Sequence, residues 1–426
     1  MARFLLTAMP FTGHVTPMAA VARELVGRGH EVRFYTGSRF RARVEAAGAT
    51  LVPWRQAPDF DEHDLPATFP RLLGRKGFRQ LFINMIDCFI ATAPAQLDDL
   101  EAEWARAPWD ALAADETSIG AVLFSEKLSL SWATVAVLPL MISGSAGPPS
   151  GMGIVPGTNP LTRTRDAALR GVSPLISRPL VTAIDEARSA VGLPARRQMM
   201  QDLVFSRVLV AASGAPLLDY DRADRPPHLH FVGELGAAEA PAPTSRMPGW
   251  WPDLAGRRVV LVSQGTLNID PNELIRPTLA ALAGHDVLVV ATTGVPGRDV
   301  LPFAVPANAR VAGFVPFAAL LPLVTLMVTN GGWGGTLAAL SRGIPLVIAG
   351  GDLDKPEIAA RVAWSGAGVN LRTGTPSAHI VGEAVDRVLG DPAFRRAAAR
   401  VGAELRWLGG ASRTAELLES RLLASA

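Results

Sequence analysis

The sequence predicts an α/β protein made of two parallel-sheet halves, and three features carry that reading. Short apolar segments alternate with amphipathic helical ones from residue 4 onward, the pattern of strand–helix–strand units. A stretch at 224–256 then breaks it, with Pro226, Pro227, Pro241, Pro243, Pro248 and Pro252 and little periodicity, as an interdomain linker reads. After the break the alternation restarts. A chain of 426 residues has room for two or three domains.

In order, the first half opens with a strand from Phe4 to Ala8 and a turn through Met9 to Val15. A helix follows, expected to take Thr16 as its N-cap and Pro17 at its first position, and to stop at Gly27 or Gly29. Met18, Val21 and Leu25 share one face of it. Glu31 to Tyr35 reads as the second strand, Phe69 to Ala102 as mostly helical, and Ala121–Phe124 and Trp132–Leu140 as further strands. Residues 143–162 form a Gly/Pro-rich loop. In the second half, strands are expected at Val259–Ser263, Val287–Ala291, Arg310–Phe314, Leu326–Val328 and Pro345–Ile348. Helices are expected at Pro271–Ala283, Thr336–Ser341 and Pro356–Trp364, followed by two C-terminal helices.

Composition removes several classes of function. Hydrophobic residues make up 49% and charged residues 19%, too apolar for a disordered chain. The single cysteine, Cys88, excludes an intrachain disulfide and a cysteine zinc site, and its apolar helical context makes a thiol nucleophile a poor fit. Net charge is +2, the three lysines are Lys76, Lys127 and Lys355, and the arginines are scattered, so nucleic acid is not an expected partner. The apolar run Phe4–Met9 is far short of the ~20 residues of a membrane helix and lacks a signal peptide's flanks, which reads as a cytoplasmic chain. Asp-x-Asp pairs at 59/61, 219/221 and 352/354 number three where chance gives about one, a poor metal signal, and no metal is expected.

In a parallel sheet, ligands sit beyond the C-terminal strand ends, in the strand-to-helix turns. Four such turns carry polar chemistry. Asn330-Gly331-Gly332-Trp333-Gly334-Gly335-Thr336 joins a strand to a helix; its glycines would let a diphosphate approach backbone amides at a helix start, or would simply make a tight turn. It matches neither the Walker loop nor G-x-G-x-x-G. Gly13-His14 places an imidazole where a general base, or a turn cap, would sit. Asp115 could fix the tautomer of that histidine or cap the next helix. Asp352, Asp354, Lys355 and Glu357 cluster at a strand end, to bind sugar hydroxyls and phosphate or as the acidic start of a helix. Ser263-Gln-Gly265-Thr266 and Phe314-Val315 end two other strands.

Taken together, Gly13-His14-Val-Thr-Pro17, Arg28-Gly-His-Glu-Val32, Asn330-Gly-Gly-Trp-Gly-Gly-Thr336, Gly343-Ile-Pro, Asp354-Lys-Pro-Glu and Gly366-Ala-Gly368 resemble the macrolide-type family 1 glycosyltransferases, in the right order from residue 3 to about 400. The resemblance implies the GT-B fold, two Rossmann-like parallel-sheet domains facing a cleft. It implies an acceptor domain over 1–235, a donor domain over 236–404, and a last helix over about 405–426 packing back on the first. It also implies His14 as catalytic base and Asp115 as its partner. Asn330 to Thr336 would hold the donor diphosphate, facing Ser263, Gly265 and Thr266. Phe314 and Val315 would lie at the nucleotide base, with Asp354 and Lys355 at the transferred sugar. The acceptor is expected against Phe11, Phe82, Met85 and Met152. Three positions depart from the family pattern: Asn330 replaces a histidine, Ala338 a glutamate that binds ribose hydroxyls, and Lys355 a glutamine.

The function this implies is inverting, metal-independent transfer of a sugar, a deoxysugar by expectation, from a dTDP- or UDP-sugar to a small lipophilic acceptor such as a polyketide or an indolocarbazole. Ala338 favours thymidine, whose 2′-position carries no hydroxyl. No cofactor is expected beyond the nucleotide sugar itself, and a homodimer is left open. Two alternatives share the fold, a nucleotide-sugar epimerase and a non-catalytic auxiliary protein; the second would not need both His14 and Asp115.

Overall fold

The computed structural model describes residues 1–74, 77–142, 144–222, 224–236, 247–265 and 270–423, and gives no account of the Phe78 side chain. The first sheet contains β1 (Arg3–Thr7), β2 (Glu31–Thr36), β3 (Thr50–Pro53), β4 (Ala111–Asp115), β5 (Trp132–Ala136), β6 (Leu209–Ser213) and β7 (Leu229–Gly233). The second contains β8 (Val259–Ser263), β9 (Leu288–Thr292), β10 (Ala309–Ala312), β11 (Val324–Thr329), β12 (Leu346–Ile348) and β13 (Gly368–Asn370). Their orders are β3-β2-β1-β4-β5-β6-β7 and β10-β9-β8-β11-β12-β13, and every pair within them is parallel. Helices cover both faces, so the central strands are apolar throughout: Phe4, Leu5 and Leu6 of β1 and Val259 to Val262 of β8 are fully buried.

Strand order reverses once in each sheet, between β1 and β4 and between β8 and β11. Thr7 stands opposite Ala114 at the end of the first pair, and Ser263 opposite Thr329 at the end of the second. These reversals open a crevice beyond the strand ends, because consecutive crossovers leave there in opposite directions. The turns with His14, Asp115, Ser263 and Asn330 follow directly from those four strands, while Phe314 follows β10 and the Asp352–Glu357 cluster follows β12.

Several elements differ from the sequence expectation. Ala121–Phe124 is not a strand but lies in the helix Ile119–Lys127, buried from Ile119 to Ser125. A short apolar run is ambiguous between the two states, and here Gly120 decides by letting this helix lie against the helix Ala93–Arg106. A Cβ on Gly120 would come within 2.3 Å of the Gln96 Cβ. The first helix is Thr12–Gly27, with Phe11 as N-cap and Pro17 inside it. It therefore starts one turn earlier than expected, and Pro17 costs it a hydrogen bond to Gly13.

The break at 224–256 is not all linker, since it contains β7. The expected strand Trp132–Leu140 stops at Ala136, and the helix expected from Thr336 already begins at Trp333. Three helices rather than two close the chain, Ala378–Gly390, Pro392–Trp407 and Gly410–Leu418. Pro392 cannot extend the first of them, and Gly409, at φ 85°, ends the second. The last one returns to the first half, where Ala415, Leu417 and Leu418 join the core beneath β1 and β6.

Candidate active site

Because the first helix starts at Thr12, His14 sits in its first turn with its side chain 10% exposed. Asp115 ends β4, the neighbour of β1, and is fully buried. The reversal in strand order thus brings together two residues 101 positions apart, with His14 Nδ1 3.0 Å from Asp115 Oδ2. That oxygen also accepts the Met9 N–H at 2.9 Å. Its partner Oδ1 accepts the Thr117 N–H at 2.7 Å and the Thr117 hydroxyl at 2.8 Å. Asp115 therefore binds the histidine and closes a local turn on Thr117, but it does not cap the next helix, whose N-cap is Ser118.

The Thr117 Oγ1 lies 3.1 Å from His14 Nδ1. With its hydroxyl donated to Asp115, it presents a lone pair to the ring. Both neighbours of Nδ1 accept, so the network assigns the proton to Nδ1 and leaves the Nε2 lone pair outward, the tautomer a general base needs. Phe11 and Phe89 flank the imidazole at ring-centroid distances of 5.8 and 6.4 Å, and Phe60 lies 5.1 Å from Phe11.

Charge around the dyad is uneven. Burial by itself would lower the His14 pKa, but the Asp115 carboxylate, and beyond it Glu116 and Asp354, hold it above its ordinary 6.5. Burial would raise the Asp115 pKa, yet the histidine and the donated hydrogen bonds keep it below the usual 3.8. Glu116 is pushed up to about 7 by burial and by the adjacent Asp115 charge, although it accepts the N–H groups of Val137 and Leu138 at 2.9 and 2.7 Å. Removing that charge relieves part of the pull on the imidazolium. In Glu116→Gln the rise of kcat/KM with pH, which tracks loss of the His14 proton, is expected at lower pH than in the wild type. A pH–rate profile checks it, and an unmoved acid limb would show that Glu116 does not act on the dyad.

The second crevice lies across from the first. After β11, Asn330 is buried and its side-chain amide donates to the Gln264 carbonyl in the turn after β8, tying the two loops together. Gly331 sits at φ 89°, and a Cβ there would come within 2.7 Å of Ile348 Cγ2. Gly332 is the N-cap of the helix Trp333–Leu340, whose first turn also holds Gly334 and Gly335, so their amides point out of the helix start. Ser263 is buried at the end of β8 and Gly265 takes φ 74°; Thr266 lies outside the described residues.

The remaining expected donor residues divide in two. Trp333 turns into the core and its indole N–H donates to Ser213 Oγ of the first half at 2.9 Å, so only its backbone can serve a ligand. Thr336 and Ala338 are buried as well. Phe314 is 63% exposed beyond β10, a free face for stacking, while the Val315 side chain belongs to the core. Asp354 stands at the N-cap position of the helix Lys355–Trp364 without a side-chain capping bond, and Lys355 pairs with Asp352 at 3.0 Å. Asp354 and His14 lie within electrostatic reach of each other, and burial raises the Asp354 pKa.

Of the expected acceptor residues, Phe11 and Met85 pack partly buried on the same apolar cluster as Phe89, and Phe82 is half-buried in the helix Gly77–Ile83. Met152 is half-buried in the loop before the helix Pro160–Ile176, which already takes in residues 160–162 of the expected loop. Thr117, Phe89 and Phe60 lacked a local signal. Their part at the site depends on which strands are neighbours, and no spacing along the chain records that.

Two parallel sheets, with a buried His–Asp pair at one switch point and a glycine-lined helix start at the other, have the architecture of a GT-B glycosyltransferase. The chain belongs to the natural-product glycosyltransferases. It is 42% identical over 403 residues to 4'-demethylrebeccamycin synthase of Lentzea aerocolonigenes, covering 94% of both chains. It is 32% identical over 419 residues to UDP-glucosyltransferase B1 of Starmerella bombicola, covering 93% of both. Residues 276–407 match the erythromycin biosynthesis protein CIII-like C-terminal domain. Among solved structures, the glycotransferase of kitacinnamycin superposes with a TM-score of 0.76 at 23% identity, over 99% of each chain. The spinosyn rhamnosyltransferase SpnG complexed with thymidine diphosphate does so with 0.69 at 21%, over 98% of this chain and all of that one. Among the described residues, no helix is long and apolar enough to cross a membrane.

Proposed function

We propose that the chain catalyses inverting transfer of a sugar, a deoxysugar by preference, from a thymidine- or uridine-diphosphate donor to a hydroxyl or nitrogen of a small lipophilic natural product, in the cytoplasm. The observation that carries this is the His14–Asp115 pair with its Nε2 left outward, on the crevice opposite the glycine-lined helix start. In this reading His14 takes the acceptor proton as the acceptor atom attacks the anomeric carbon. Asp115 stabilises the imidazolium that results, at no cost in reorientation. The diphosphate leaves toward the amides of 331–335, which neutralise its developing charge without a metal. Phe314 stacks on the base, Ser263, Gly265 and Thr266 face the phosphates, and Asp354 and Lys355 hold the sugar. Phe11, Phe82, Met85 and Met152 wall the acceptor.

The bound thymidine diphosphate of SpnG and the uridine donor named for the Starmerella enzyme support either nucleotide. Ala338 offers no carboxylate to a ribose 2′-hydroxyl, which favours thymidine. Thermal denaturation with each diphosphate tests this. At 100 times its Kd a ligand adds about 2.7 kcal/mol, a rise of several degrees, and the thymidine nucleotide should give the larger one. A larger uridine shift overturns the reading of Ala338, and no shift with either overturns the donor site.

A further inference from the structure

We infer that Glu357 is a positioning residue for the acceptor: it fastens segment 151–153 of the first half to the helix whose first turn carries Asp354 and Lys355. This deepens the proposed function and rests on it. Glu357 is 1% exposed. Its Oε2 accepts the backbone N–H groups of Gly151 and Gly153 at 3.1 and 2.9 Å, while Oε1 accepts from Arg361 Nε at 3.2 Å. Arg361, equally buried, donates to the Leu140 carbonyl at 2.6 Å, pairs with Asp219 and lies 5.0 Å over the Tyr220 ring. One turn of a second-half helix thus reaches five residues of the first half through a buried charge pair.

Such a pair is expensive to bury, and the two glycine amides of a surface loop could have been satisfied by water. Burying a carboxylate on them has a consequence that water would not have, which is a fixed position for the loop. The fit is close on the backbone as well. Gly153 takes φ 66°, and a Cβ there would stand 2.7 Å from Pro356 Cβ and 2.9 Å from its carbonyl carbon. Glu357 lies three residues after Asp354, a rise of about 4.5 Å along the helix. The loop bearing Met152 and the residues proposed to hold the sugar are therefore held in register by a single rigid turn.

Two variants and two readouts test this. Glu357→Ala is expected to raise the acceptor KM by about tenfold or more, for two lost hydrogen bonds to a charged acceptor, with donor KM within about threefold. Hydrogen exchange at the Gly151 and Gly153 amides should quicken by at least about tenfold in the same variant. Glu357→Gln keeps an amide oxygen for those N–H groups and should recover most of both effects. If Gln and Ala behave alike, the carboxylate serves only to neutralise Arg361 and the inference falls. It falls too if exchange at 151 and 153 is unchanged, or if donor and acceptor KM rise together. Exchange needs no turnover, so a wild type without transfer activity but with the expected exchange pattern would overturn the proposed function and leave the anchoring in place.

Discussion

Replacing His14 with alanine is expected to slow sugar transfer by about 10²–10⁴, the usual cost of losing a general base, with thymidine diphosphate binding unchanged. The expectation follows from how completely the site commits Nδ1. Asp115 Oδ2 and Thr117 Oγ1 lie within 3.0 and 3.1 Å of it, and Asp115 is itself fixed by Met9 and Thr117. Asp115→Asn should cost nearly as much, since an amide can donate to Nδ1 and turn the proton out onto Nε2, where it blocks the acceptor. Thr117→Val, which leaves the carboxylate in place, should cost about tenfold or less, the worth of one hydrogen bond.

The pH dependence has a definite sign. The neutral ring is the base, and the pKa held above 6.5 keeps the ring protonated to higher pH, so kcat/KM should climb on rising through that pKa. The same raised value means that the His14–Asp115 attraction stabilises the fold below the unfolded pKa of the histidine and is lost as pH rises through the folded one. Steady-state kinetics on the three variants checks the assignment. A His14→Ala enzyme within a few-fold of wild type would remove the histidine from the chemistry.

Alternation of apolar strands with helices made both sheets visible in the sequence, and the turns after β1, β8, β11 and β12 carried their polar residues in plain view. What stayed hidden depended on distance in space. Ala121–Phe124 is apolar all round because a helix buried on every side needs no polar face, so periodicity could not separate it from a strand. Glu357 was legible as one of a charged cluster at a helix start, but its partners lie 204 and 206 residues away, across the cleft. Trp333 sits in the middle of the loop motif, yet its indole is spent on Ser213 rather than on a ligand. Asp219 likewise reads as half of an acidic pair, and the structure gives it to Arg361.

The loop glycines separate into those the fold requires and those it does not, and the difference carries the second large effect. Gly331 is required: at φ 89°, and with Ile348 Cγ2 2.7 Å from where a Cβ would be, Gly331→Ala must strain the backbone and part β11 from β12. It should destabilise the protein by about 2 kcal/mol or more. Gly332 and Gly334 are not required. Gly332 has φ −61° and ψ 134°, open to any residue, and a Cβ at either position meets no atom within 4 Å. Gly334 even weakens its helix, by about 1 kcal/mol relative to alanine. Glycines to which the fold gives nothing leave room for another molecule to approach closely, and at a helix start the proposed diphosphate is suited to that room. Gly334→Ala is therefore expected to raise the unfolding free energy by about 0.5–1 kcal/mol while weakening thymidine diphosphate by about 100-fold, or roughly 2.7 kcal/mol. Gly332→Ala should weaken it comparably with stability unchanged. Calorimetric titration beside denaturant unfolding reads both quantities. Unchanged affinity in the two variants would move the diphosphate away from this loop, whatever happens to stability.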